Sequence, residues 1–86
     1  MTWLELWTAA GLSPGEAGGA IEYYEQALAI SREIGDRRGE GNHLFNTALA
    51  YQSLGERERA REYARQALAV YEAIESPYVE KARRLV

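Results

Sequence analysis

The sequence predicts an all-α protein of antiparallel helical hairpins, about five helices in all, and three observations predict it. A segment of the chain returns at an offset of 40 residues, the apolar positions of each copy recur at helical spacing, and helix-start and helix-stop residues separate the periodic stretches. Ala20-Ile21-Glu22-Tyr23-Tyr24-Glu25-Gln26-Ala27-Leu28-Ala29-Ile30 reappears as Ala60-Arg61-Glu62-Tyr63-Ala64-Arg65-Gln66-Ala67-Leu68-Ala69-Val70. Extended to Ile34 and Ile74, the two windows agree at eight of fifteen positions. The same offset pairs Leu4 with Leu44, Gly15-Glu16 with Gly55-Glu56 and Glu40 with Glu80, so the unit is longer than one helix.

Each element has its own signals. Thr2 and Glu5 stand at capping-box spacing and open a first helix that ends near Gly11. Ser13-Pro14-Gly15-Glu16 places a hydroxyl, a proline and, three positions on, a carboxylate, the start of a long helix that reaches Ile34. Leu44, Thr47, Ala48, Tyr51 and Leu54 form an apolar stripe on a helix over 37–54, and Gly55 supplies the left-handed residue that ends it. Ala60, Ala64, Ala67, Leu68, Tyr71 and Ile74 form the matching stripe over 57–74, its small alanines allowing close backbone approach. Ser76-Pro77 opens a last short helix over 77–85. The whole reads as a single domain, 1–86: a degenerate first hairpin over 1–36, a well-formed one over 37–76 and a terminal helix over 77–86.

Bulk properties narrow the function. At 86 residues the chain holds one modest core, so help from a partner or a second copy is expected. Charged residues are 27% and hydrophobic ones 47%, the balance of a folded soluble domain. The formal charge is −3, and Arg57, Arg59, Arg61 and Arg65 alternate with Glu56, Glu58 and Glu62 as a solvated face, leaving no basic stripe for a phosphate backbone. Neither nucleic acid nor a membrane is expected as partner, since no apolar run approaches 18 residues. The absence of cysteine removes thiolate chemistry and agrees with a reducing compartment, and the start of the chain does not read as a signal peptide. The expected location is the cytoplasm.

The run Leu44, Ala48, Tyr51, Gly55, Ala60, Ala64, Ala67 and Leu68, closing with Pro77, resembles a tetratricopeptide repeat. The 40-residue period, with Ala27-Leu28-Ala29-Ile30 and Arg32-Glu33-Ile34-Gly35-Asp36-Arg37-Arg38-Gly39-Glu40-Gly41, resembles the longer variety found in bacterial regulators and animal polarity adaptors. The resemblance covers residues 20–82. Before that, Gly11 stands in the place of Tyr51, Pro14 of Leu54 and Gly18-Gly19 of Glu58-Arg59, and two helical glycines cost roughly 1 kcal/mol each relative to alanine. The resemblance implies a short right-handed solenoid whose concave wall, lined by the first helix of each pair, holds a peptide or a partner helix.

Asn42, Phe45, Asn46, Leu49 and Ser53 fall on a second face of the 37–54 helix, outside its packing stripe. Asn46 carries a donor and an acceptor for an extended backbone and resembles the Asn of peptide-binding members. The residues of a carboxylate clamp are not where the family places them, since Phe45 and Leu49 stand there. Phe45 and Leu49 read equally as groove or as core against another helix or a second copy. Trp3 and Trp7 form a bulky stripe that reads as core filler, or as a surface for self-association. Tyr23, Tyr24, Tyr63 and Tyr71 read as inter-helix packing.

No enzyme is expected. His43 is the single histidine, and with Glu40 one turn before it makes at most one acid–histidine pair, short of a zinc ligand set or a nucleophilic triad. The glycines of 35–41 read as the turn between hairpins, and no cofactor or metal is called for. Two functions remain: a scaffold binding a peptide or helix of another protein in the groove, or a self-associating fragment, a homodimer formed by exchange of a terminal helix included. An engineered repeat with no ligand of its own would carry the same pattern.

Overall fold

The computed structural model of the chain describes residues 14–86. These residues form four helices, α1 (Pro14–Ile34), α2 (Arg37–Ser53), α3 (Arg57–Ala73) and α4 (Val79–Leu85). Each packs on its neighbour in the chain, so the stack grows by one helix at a time, the arrangement of a short helical-repeat protein. The expected first helix, with Trp3 and Trp7, lies outside the described residues.

Three helix ends are built alike, and they set the geometry of the stack. Asp36 N donates to Ser31 O at 2.8 Å, Glu56 N to Tyr51 O at 3.0 Å and Ser76 N to Tyr71 O at 2.8 Å. The residue before each donor has positive φ: Gly35 at 73°, Gly55 at 83° and Glu75 at 53°. This is the Schellman arrangement, in which the left-handed residue folds the chain back onto the last free carbonyls. Glycine takes that conformation without steric cost; Glu75 takes it with a Cβ. The turn expected over 35–41 is shorter than that. Asp36 caps α2 by accepting from Gly39 N at 3.0 Å, so Gly39 and Gly41 are already helical.

Two apolar clusters hold the helices. One gathers Leu28, Leu44, Ala67, Val70, Tyr71 and Ala82, so it draws on all four helices. The other gathers Ile21, Ala50, Tyr51 and Ala60, with Tyr63 packed against it and its ring stacked 5.3 Å from that of Tyr51. Fully burying a side chain such as Leu44 contributes about 1.5–3 kcal/mol. Gly41 lets α2 and α3 meet, because a Cβ there would lie 2.8 Å from the Tyr71 ring and 3.2 Å from Val70. Buried Thr47 returns its hydroxyl proton to His43 O at 2.7 Å, so its burial leaves no orphan donor.

Three packing expectations are corrected. Leu54 is exposed because the helix stops at Ser53 and Leu54 is its C-cap, already turning outward. Tyr23 is 66% exposed and only edges onto its neighbour Tyr24, 5.7 Å away. The last helix starts at Val79, two residues late, since Ser76 Oγ accepts from Tyr78 N at 3.1 Å and holds 76–78 in a turn.

Candidate functional site

On α2 the second helical face is half-buried at Asn42, Phe45, Asn46 and Leu49. Asn42, Phe45 and Asn46 form one wall of a cleft of about 280 Å³. Tyr71 of α3 and, from the α4 side, Tyr78 and Lys81 complete it. Leu49 and Ser53 are not on this wall. Ser53 is buried and donates its hydroxyl to Leu49 O at 3.1 Å, so its side chain belongs to the helix packing and is not offered to solvent.

Tyr71 ties the walls together. Its hydroxyl donates to Asn42 Oδ1 at 2.8 Å, joining residues 29 apart in the chain. Burial, followed by the neighbouring Tyr78, pushes the Tyr71 phenol up to about 12, so it remains a donor throughout the neutral range. With its oxygen engaged, Asn42 has its NH₂ left to offer a ligand. Asn46 makes no side-chain hydrogen bond among the described residues. The rings of Phe45 and Tyr78 lie 6.4 and 5.8 Å from that of Tyr71, at 52° and 59° to it, so the three meet obliquely. Lys81 Nζ sits 5.7 Å from the Phe45 ring centre and 5.8 Å from that of Tyr78, within cation–π range of both.

A second cavity, of about 530 Å³, adjoins the first and shares Asn42 and Tyr78 with it. Arg38, Ile74, Glu75, Ser76 and Pro77 complete its lining. Together the two make a trough between α2 and the α3–α4 turn, with Lys81 lining one cavity and both Arg38 and Glu75 lining the other.

His43 lies apart from the cleft lining, its ring 6.4 Å from that of Tyr24 and its Nδ1 buried without a hydrogen-bond partner. Glu40 does not pair with it. Its carboxylate meets Arg32 at 3.2 Å and Arg37 at 3.4 Å, and so braces α1 against α2. Among the described residues no cluster of acidic or histidine side chains could hold a metal ion, and no helix is long and apolar enough to cross a membrane.

Sequence reasoning placed Asn42, Phe45 and Asn46 together and missed Tyr78 and Lys81. Only the Ser76-Pro77 turn signal bears on those two, because it sets where the chain folds back across α2. A family model described as tetratricopeptide repeat matches residues 15–73. No curated protein and no solved structure matches the chain.

Proposed function

Because the chain belongs to the tetratricopeptide repeat family, whose members are typically protein-interaction scaffolds, we propose that it binds an extended peptide of a partner protein in the trough between α2 and α4. The observation that carries this reading is the cleft itself: three residues of one helical face, Asn42, Phe45 and Asn46, stand across from Tyr78 and Lys81. Aromatic walls offer apolar area, and amide groups offer partners for a peptide backbone. Leu49 extends the apolar surface along the same face of α2. A scaffold without chemistry of its own, working in the reducing cytoplasm, fits a chain without cysteine.

The test is peptide capture by the purified chain. Asn46→Ala combined with Leu49→Glu is expected to weaken capture at least tenfold while far-UV circular dichroism keeps its helical signal. Capture unchanged by both substitutions would sink the groove.

A second reading rests on a different face. Tyr23, Ile30 and Ile34, at spacings of seven and eleven on α1, are 66%, 57% and 70% exposed and form one apolar stripe. Burial of this stripe against a second copy would make the chain a homodimer, to which Trp3 and Trp7 are the proposed further contributors. Sedimentation across a concentration range checks it. Dimers that dissociate when Ile30→Glu and Ile34→Glu are introduced support the reading, and a monomer at every concentration refutes it.

A further inference from the structure

We propose that a cavity at the end of the stack, sharing no residue with the trough, is a binding site for a phosphomonoester dianion held by Arg57, Arg61 and Arg84. The cavity has a volume of about 290 Å³ and lies where α2 ends, α3 begins and α4 ends. Arg57 and Arg61 of α3, Arg84 of α4 and Gln52 of α2 supply its polar side chains. Ala60, Leu85 and Val86 complete the lining, and no acidic side chain takes part in it.

The three guanidinium groups have no internal partner. None enters an ion pair or a side-chain hydrogen bond among the described residues, and the Val86 carboxylate pairs with none of them within 4.0 Å. The acids nearby are engaged or turned away. Glu80, one turn before Arg84, is held by Arg83 at 2.6 Å. Glu56 meets Arg59 at 4.0 Å, and with Glu58 it lines a separate cavity that shares Arg57 alone with this one. Glu58 and Glu62 each follow an arginine by one residue, about 100° further around the helix. The Arg–Glu alternation is thus neutral along the chain and segregated in space. Arg57 and Arg61, four apart, share one side of α3, and Arg84 brings a third charge to it from α4.

That arrangement selects among anions. Like charges four apart on a helix repel each other, and an anion between them relieves the repulsion. Each guanidinium is a planar fork that matches phosphate oxygens two at a time. A phosphomonoester offers three terminal oxygens and about two negative charges near neutral pH, one oxygen for each arginine. The Gln52 amide adds a further N–H donor. A carboxylate or a phosphodiester brings two free oxygens and one charge, which leaves a guanidinium unmatched. A nucleic-acid backbone would also need the basic surface to continue, and Glu56 and Glu58 interrupt it beyond Arg57.

The test is titration of the full chain with phenyl phosphate, followed through the arginine side-chain N–H signals by NMR. The signals of Arg57, Arg61 and Arg84 should move, and those of Arg32 and Arg37, both held by Glu40, should stay. Arg61→Gln and Arg84→Gln should each weaken binding about tenfold, the effect of losing one charge-assisted hydrogen bond, and dimethyl phosphate should bind about tenfold more weakly than the monoester. Arg84→Lys should weaken it about threefold, because the charge remains and the fork is lost. Phenyl phosphate should raise the melting midpoint above that in sodium chloride of equal ionic strength, and the rise should vanish in the double glutamine variant. Two sources can supply the dianion. An acetylated and amidated phosphoserine peptide that binds more tightly than phenyl phosphate supports the site and assigns it to a protein partner; equal affinity supports it as a site for small phosphates. Movement of all arginine signals alike, equal binding of dimethyl phosphate, or affinity unchanged in the double variant would overturn the site. So would an oligouridine that outcompetes the phosphopeptide, by assigning the arginines to a nucleic-acid surface. Asn46→Ala, in the trough, should leave phosphate binding unchanged, so this site and the trough stand or fall separately.

Discussion

α1 and α3 carry the same repeated segment and live in different surroundings. Tyr63 stacks on Tyr51, Val70 is buried and Ile74 packs against the main cluster; their counterparts 40 residues earlier, Tyr23, Ile30 and Ile34, face outward. The difference lies in neighbours. α3 is flanked by α2 and α4, whereas among the described residues α1 packs mainly on α2, with Leu28 and Ile21 reaching the clusters shared with α3. Burial in a stacked repeat is thus conferred by the next helix, and the same residues are core in one copy and exposed surface in the other.

Truncating the paired positions gives the largest contrast. Val70→Ala should cost roughly 2–3 kcal/mol by opening a cavity among Leu28, Leu44 and Tyr71, and Ile30→Ala should stay within about 0.5 kcal/mol. Urea denaturation of both variants measures this, and equal losses would show that the α1 stripe is packed after all.

Glycines sharpen the comparison next. At Gly41 an added methyl meets the Tyr71 ring, so Gly41→Ala should cost about 2 kcal/mol in the same assay.

The Tyr71 phenol separates the two copies by pH, because the corresponding position in α1 is Ser31. Its folded pKa is raised to about 12 from the usual value of 10. The folded state therefore keeps its proton where the unfolded chain has lost one. That contribution is fully present below pH 10 and is lost as pH rises from 10 toward 12. The loss should be of order 1–2 kcal/mol, and Tyr71→Phe should flatten this part of the profile. Phenolate absorbance followed alongside denaturant midpoints checks both.

The smallest effects are gains. Gly18 and Gly19 lie in α1, exposed, with no described atom within 4 Å of an added Cβ, so alanine at either should add about 1 kcal/mol. Glu75→Gly should add about 1 kcal/mol by relieving the left-handed Cβ that its counterpart Gly35 lacks. Thermal melts resolve changes of this size.

Much of the fold was legible in the sequence because its signals are local. Periodicity, capping residues and Gly55 bring the bounds of α1, α2 and α3 to within one residue of those found. Leu54 misled because apolar spacing runs on past the point where backbone hydrogen bonding ends. Ser53 misled because its exclusion from the stripe suggested an outward face, while the hydroxyl of a helical serine can satisfy itself on the preceding turn. The site was legible on one side only. Asn42, Phe45 and Asn46 share a helix, and spacing alone places them on one face. That Tyr78 and Lys81 stand opposite, and that Tyr71 reaches Asn42, follows from where two turns aim three helices, which no periodicity records.

The ammonium poised over Phe45 and Tyr78 belongs to the only lysine in the chain; apart from His43, every other basic side chain is arginine. Any reagent that acylates side-chain amines is consequently a reagent for this one cleft. Acetylation would erase its charge, methylation would keep the charge and thicken its contact with the rings, and a fluorophore coupled there would report on the trough from inside.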